Sequence, residues 1–170
     1  DTLSLHDALP ISVAADNALN YVYAISNDGY WNDGDNLVLG RVPRSKIGNL
    51  SVADWTYYKG GDGVLDSAWT TALDKATYIV DQPGQCSQAA VTYIPSRETY
   101  LMTNWFNPFP MDSFYKPVMN YIRFMQAPHP WGPWTVLGDC DSSLAKLHPY
   151  QPGICTKFQR SNADGTDDTL

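Results

Sequence analysis

Hydrophobic residues in this chain fall in short runs separated by turn formers, not at helical spacing. Tyr21 to Ile25 (YVYAI) and Leu37 to Gly40 (LVLG) are nearly continuous apolar runs, the pattern of strands covered on both faces. Asn120 to Leu137, NYIRFMQAPHPWGPWTVL, reads as a strand over Tyr121 to Ala127, a tight turn over Pro128 to Pro133 and a second strand from Trp134. Proline cannot donate to a ladder and glycine supplies unusual backbone angles, so this turn predicts a strand connection.

A weaker copy of that unit lies upstream. Asn36 to Val42 leads through Pro43 to Asp54-Trp55-Thr56-Tyr57, with Leu37-Val38-Leu39 matching Ile122-Arg123-Phe124 and Pro43 matching Pro128. The spacing from Trp55 to Trp134 equals that from Tyr21-Val22 to Tyr100-Leu101. A repeated unit of four short strands predicts an all-β fold, an incomplete five-bladed β-propeller fragment of about two blades plus the start of a third. Two similar hairpin pairs in a β-sandwich are the alternative. The blades are expected near residues 13–60, 61–138 and 148–170. In the second, Ala76 to Val80 is expected as a short extended piece, Gln88 to Ile94 as the inner strand and Trp105 to Met119 as a long loop.

Residues 1–12, DTLSLHDALPIS, look like the conceptual translation of a sequencing-library adapter, and fold reasoning sets such a segment aside. His6, Asp1 and Asp7 then carry no functional weight. The expected partial propeller domain is 13–170, with its true N-terminus missing and the third blade cut short. A ring of five such units would need about 400 residues.

Composition narrows the class. The chain has 170 residues, 44% hydrophobic and 17% charged, with a net charge of −7; this excludes a helical membrane span and argues against sequence-independent nucleic-acid binding. No CxxC spacing joins Cys86, Cys140 and Cys155. Cys140 and Cys155 flank a loop that a disulfide could close, and Asn49-Leu50-Ser51 is a glycosylation sequon; both fit a secreted, oxidising setting.

The motif order Tyr21-Val22-Tyr23, Asn36 to Pro43, Trp55 to Gly60, Trp69, Gly84-Gln85-Cys86-Ser87-Gln88 and Gly132-Pro133-Trp134 resembles secreted five-bladed propeller proteins catalogued as a domain of unknown function. Some relatives of that group are endo-arabinanases acting on D-arabinan. The order is more distantly similar to the arabinanase and furanosidase propellers, which share the Gly-Pro-Trp turn. The resemblance implies an extracellular glycoside-hydrolase-like protein, monomeric when full length, acting on a furanose-rich polysaccharide such as arabinan. A non-catalytic carbohydrate-binding propeller is the alternative. Where the family often has Gly-Glu-(Leu/Met)-Ser, this chain has Gly84-Gln85-Cys86-Ser87, an amide in place of a carboxylate.

Glycoside hydrolysis normally uses two carboxylates. The chain's one glutamate, Glu98, sits in the Pro95 to Glu98 hairpin and reads as a solvated turn residue. Any acid pair must be aspartates, and Asp81 and Asp112, neither followed by glycine, are the catalytic candidates. The loops Asp28 to Asp35, Asp81 to Gln88, Asn104 to Tyr115 and Asp139 to Gln151 are expected to meet on one rim. They offer Gln85, Gln88, Trp31, Trp105, Phe109, Tyr115 and His148 as substrate-binding candidates, aromatic faces stacking on sugar C–H groups and amides holding hydroxyls. Asp28, Asp33 and Asp35 favour plain turn chemistry. A calcium site at Asp33 and Asp35 is a weaker option, since the downstream bidentate glutamate of a calcium loop is missing; no other metal or cofactor is expected.

Overall fold

A computed structural model describes residues 9–10, 21–29, 34–106, 121–141 and 152–155. It contains two antiparallel sheets. In the first, β1 (Leu9–Pro10), β2 (Tyr21–Asn27), β3 (Gly34–Pro43), β4 (Thr56–Tyr58) and β5 (Trp69–Thr70) follow in order, and β6 (Tyr78–Cys86) also pairs with β3. In the second, β7 (Ala89–Ile94), β8 (Thr99–Phe106), β9 (Tyr121–Ala127) and β10 (Thr135–Asp141) form an up-and-down meander. That strand order is a propeller blade's, and the expected all-β class holds. No helix among the described residues is long and apolar enough to cross a membrane.

The strands form where the apolar runs and turn formers place them. Leu37, Val38, Leu39, Gly40, Arg41 and Val42 are all buried, which accounts for the unbroken apolar run of β3. Strand β9 alternates instead, with Met125 and Ala127 buried and Phe124 and Gln126 exposed. Pro95–Arg97 form a single 3-10 turn closed by Glu98 in the left-handed region at φ 47°. Glu98 is exposed, as a turn residue should be.

The internal repeat is visible in space, with one shift. Tyr21 and Tyr100 occupy matching places on β2 and β8, yet Tyr21 lies opposite Pro43 whereas Tyr100 lies opposite Ala127. Pro128, the sequence match of Pro43, falls just beyond its strand.

The largest departure from the sequence reading concerns the outer edge of the first sheet. Ala76 to Val80 was expected as a short extended piece of the second blade, and Gln85 in the loop from Asp81 to Gln88. Instead Tyr78–Cys86 is a nine-residue strand on β3. The reason is backbone satisfaction. Strand β4 pairs only with Gly40 and Arg41 of β3, leaving the rest of that edge without partners, and buried N–H and C=O groups must be paired. Strand β6 supplies them, setting Gly34 against Cys86, Asn36 against Asp81 and Leu37 against Val80.

One core joins the two sheets: Tyr23, Ile25, Leu37 and Leu39 from the first pack with Val91, Tyr100, Met102 and Met125 from the second. At the end carrying the β9–β10 turn the contact is aromatic. The Trp131 ring lies 6.4 Å from both Tyr23 and Trp69, and Trp69 stands edge-on to Tyr58 at 5.6 Å. Trp69 Nε1 donates to the Gly63 carbonyl at 2.7 Å. A Cβ at Gly63 would lie 2.2 Å from the Trp131 ring, so only glycine admits this approach. Arg41 is buried between Tyr21 (4.0 Å) and Trp69 (4.1 Å) and pairs with the exposed Asp66. Cation and ring faces attract, and the stem fills space that a shorter side chain would leave empty.

The Cys140–Cys155 disulfide that the loop length would allow is not formed. Cys140 lies on β10, the outer strand, while the carbonyls of Pro152 and Ile154, next to Cys155, accept from Thr103 on β8 and Thr92 on β7. At about 4.8 Å per strand, two or three strands separate the thiols, more than the roughly 7 Å between Cα atoms that a disulfide spans.

Replacing Gly63 with Ala should lower stability by about 1–3 kcal/mol through overpacking, and Trp131→Ala by about 3–5 kcal/mol through loss of buried contacts. Urea midpoints measure both; a Gly63→Ala midpoint equal to the parent's would show that the Gly63–Trp131 contact does not form.

Candidate functional site

The C-terminal ends of β2, β6, β8 and β10 and the N-terminal ends of β3, β7 and β9 lie at one end of the two sheets, as the pairings Asn27 with Leu37, Ala89 with Asn104, and Phe106 and Asp141 with Tyr121 require. This rim is opposite the aromatic end. Each of the four loop regions expected to converge has a described residue here: Asp35, Gln85, Asn104 and Asp139.

Arg123 is its centre. Nε and Nη2 donate to the two carboxylate oxygens of Asp139, each at 2.7 Å, while Nη1 donates to Gln82 Oε1 at 2.6 Å and Gln85 Oε1 at 2.7 Å. The guanidinium carbon sits 4.7 Å from the Phe106 ring centre. The strands dictate this arrangement: Asp139 is directly opposite Arg123 across β9–β10, and β6 brings its two glutamines from the other sheet. The bonds to Asp139 hold the guanidinium more firmly protonated than usual, against the opposing effect of burial. A planar fork saturated by a carboxylate and two amides has little capacity left for an added anion.

Amides continue the network inward. Asn104 is fully buried; its Oδ1 accepts from the Ser87 N–H at 3.0 Å and its Nδ2 donates to the Gln85 carbonyl at 2.6 Å. Asn27 Nδ2 donates to the Cys86 carbonyl at 3.1 Å. Between these bonds Cys86 is sealed, and burial, with a smaller contribution from the charge of Asp28, pushes its thiol up to about 12. The buried Ser87 Oγ, Gln88 Oε1 and Asn36 Oδ1 have no hydrogen-bond partner.

The carboxylates divide by use. Asp28 Oδ1 accepts from the Asp35 and Asn36 N–H groups, both at 2.9 Å, and its Oδ2 accepts from Asn36 Nδ2 at 2.6 Å. It therefore shapes the β2–β3 loop, the turn role expected of it. Asp35 Oδ1 accepts from the Gly84 N–H at 2.7 Å, tying that loop to β6. Asp81 is exposed, and alternation along a strand turns it to the face opposite Gln82 and the Arg123 network.

Among the sequence candidates, Gln85 joins Arg123 and Asn104 at the rim, and Gln88 is buried beside them. Trp105 is 3% exposed, so its ring face is covered by protein and offers no stacking platform to a sugar; it packs within β8. Asp112, Trp31, Phe109, Tyr115, His148 and Asp33 lie outside the described residues. Sequence reasoning passed over Arg123, Gln82 and Asn104. A signal existed for the first: Arg123 interrupts the apolar repeat position that Val38 fills upstream, and a strand arginine between apolar neighbours implies a buried partner.

No protein-family model matches the sequence, and no curated protein matches it. Two solved structures show weak likeness. A Bifidobacterium bifidum s17 protein assigned as an exo-beta-1,3-galactanase aligns at 14% identity and TM-score 0.47, covering 82% of this chain and 38% of its own. A GH43 beta 1,3 galactosidase aligns at 12% identity and TM-score 0.40, covering 71% of this chain and 22% of its own. The chain thus spans well under half of either protein. The fold class rests on the strand order of the two sheets.

Removing the Arg123 fork strands a carboxylate and two amide oxygens, so Arg123→Ala should cost about 1–3 kcal/mol, and Arg123→Lys should recover only part of that because an ammonium cannot make the forked contact. A double-mutant cycle with Asp139→Asn in urea should give a clear coupling energy, and additive losses would mean the pair is not formed. For Cys86, iodoacetamide at pH 8 should modify the exposed Cys140 and Cys155 and reach Cys86 only on unfolding. Its raised value favours the folded chain below the ordinary thiol value of 9, and that contribution should be lost as pH rises from there toward about 12, the unfolded chain ionising first.

Proposed function

We propose that this chain is part of a secreted, carbohydrate-active propeller of the glycoside-hydrolase type, whose substrate is a neutral, furanose-rich polysaccharide such as arabinan. The observation that carries this reading is the polar rim. Arg123 is neutralised by Asp139 and held by the amide oxygens of Gln82 and Gln85, with the buried Asn104 bracing Gln85 from behind. Among the described residues this surface is polar and its cation, Arg123, is already neutralised. It suits the hydroxyl donors of an uncharged glycan and disfavours phosphate or sulfate.

Hydrolysis needs one carboxylic acid to protonate the leaving oxygen and a second carboxylate as nucleophile or base. Asp81 and Asp112 are the proposed pair, with Gln85, Gln88, Trp31, Phe109, Tyr115 and His148 contributing to the groove. A second reading, a carbohydrate-binding propeller without turnover, is favoured by Gln85. Its amide stands where the resembling family carries a carboxylate, and its oxygen is already held by Arg123.

The test is release of reducing sugar by the protein expressed from the uninterrupted coding sequence, on arabinans, β-1,3-galactan and related polysaccharides. Asp81→Asn and Asp112→Asn should each lower kcat by roughly 10²–10⁴-fold. Turnover untouched by both substitutions would remove the pair from the mechanism; affinity without turnover would leave the binding module.

A further inference from the structure

The segment between β3 and β4 plays no part in the rim and has a different character. Arg44–Asn49 and Val52–Asp54 form two short 3-10 turns, linked by Leu50 in the left-handed region at φ 52°. Asn49 is exposed at the end of the first turn. Around it three aliphatic side chains face solvent: Ile47 at 38%, Leu50 at 88% and Val52 at 67%.

Asn49-Leu50-Ser51 is the one Asn-X-Ser/Thr sequon in the chain. We infer that Asn49 is an N-glycosylation site and that its glycan lies over Ile47, Leu50 and Val52. Three features of the geometry fit. The side chain is reachable, since the turn ends at an exposed residue. Asn49 Nδ2 donates to Asp54 Oδ2 at 3.2 Å; an N-linked glycan replaces one of the two Nδ2 hydrogens, and the other keeps that bond. The position is also remote from the rim. Gly34 begins β3 at the rim and Pro43 ends it, so a strand of about 3.3 Å per residue puts the turn that carries Asn49 at the far end of the sheet and leaves the rim open.

The transfer is balanced with a lipid-linked oligosaccharide diphosphate as donor. The bond between Asn49 Nδ2 and the anomeric carbon forms, the bond from that carbon to the diphosphate oxygen breaks, the diphosphate leaves, and the amide proton passes to a base of the transferase. Modification at Asn49 is independent of what the rim binds.

The experiment is secretion of the chain from a eukaryotic host behind a cleavable leader, read by intact mass and peptide mapping. A single glycosylated species is expected, collapsed by peptide N-glycosidase with aspartate left at position 49. Asn49→Gln and Ser51→Ala should each abolish it and Ser51→Thr should keep it, which separates loss of the sequon from loss of folding. The deglycosylated protein should bind more of a hydrophobic dye than the glycosylated one. Secreted protein with unmodified Asn49 would overturn the inference, and equal dye binding by the two forms would overturn the placement of the glycan over the aliphatic patch.

Discussion

The unpaired edge of β3 is the constraint on which the rest of the structure depends. Strand β4 is three residues long and covers only two positions of its ten-residue neighbour. A buried backbone group without a partner costs about as much as a lost hydrogen bond, and several in a row would be prohibitive. Strand β6 closes that edge, and its position brings Gln82 and Gln85 to Arg123, seals Cys86 and presents the Gln85 carbonyl to Asn104. The candidate site is therefore a consequence of how one sheet edge was satisfied.

The two ends of the sheet pair divide the work between stability and chemistry. At one end Trp131, Trp69, Tyr23 and Tyr58 interlock without charge except for the sandwiched Arg41. At the other end the contact between sheets is almost wholly polar, through Arg123 and the glutamines. Apolar area removed from water holds the sheets together, whereas the polar contacts chiefly fix direction and spacing. The two arginines show the difference: Arg41 is wedged between rings and answers to a surface aspartate, while Arg123 is saturated by partners drawn from two strands, β6 and β10.

Much of the architecture was legible in the chain. The strands β2, β3, β8 and β9 fall where apolar runs and Pro or Gly punctuation placed them, although the pairings of Tyr21 with Pro43 and of Tyr100 with Ala127 differ by one residue in register. Turn chemistry was equally readable at Asp28 and Glu98, because it depends on a few consecutive residues. Strand β6 was hidden. Pro83 and Gly84 interrupt its sequence, so local propensity argued for a loop, and only the need of a distant edge for partners made it a strand. Trp105 shows the same limit: an aromatic beside a long loop can face a ligand or the core, and the sheet put it in the core.

What the sequence determined by itself was therefore the all-β class, the repeat and the hairpins, all set by periodicity and by residues with restricted backbone freedom. Tertiary structure alone decided which strand completes the first sheet, that Cys140 and Cys155 stay apart, and that Arg123 gathers Asp139, Gln82 and Gln85. The physical reason is range. Propensity and turn chemistry act over a few residues, whereas the β3–β6 pairing and the bonds from Arg123 to Gln82 and Gln85 join groups some forty positions apart, whose meeting no local pattern encodes.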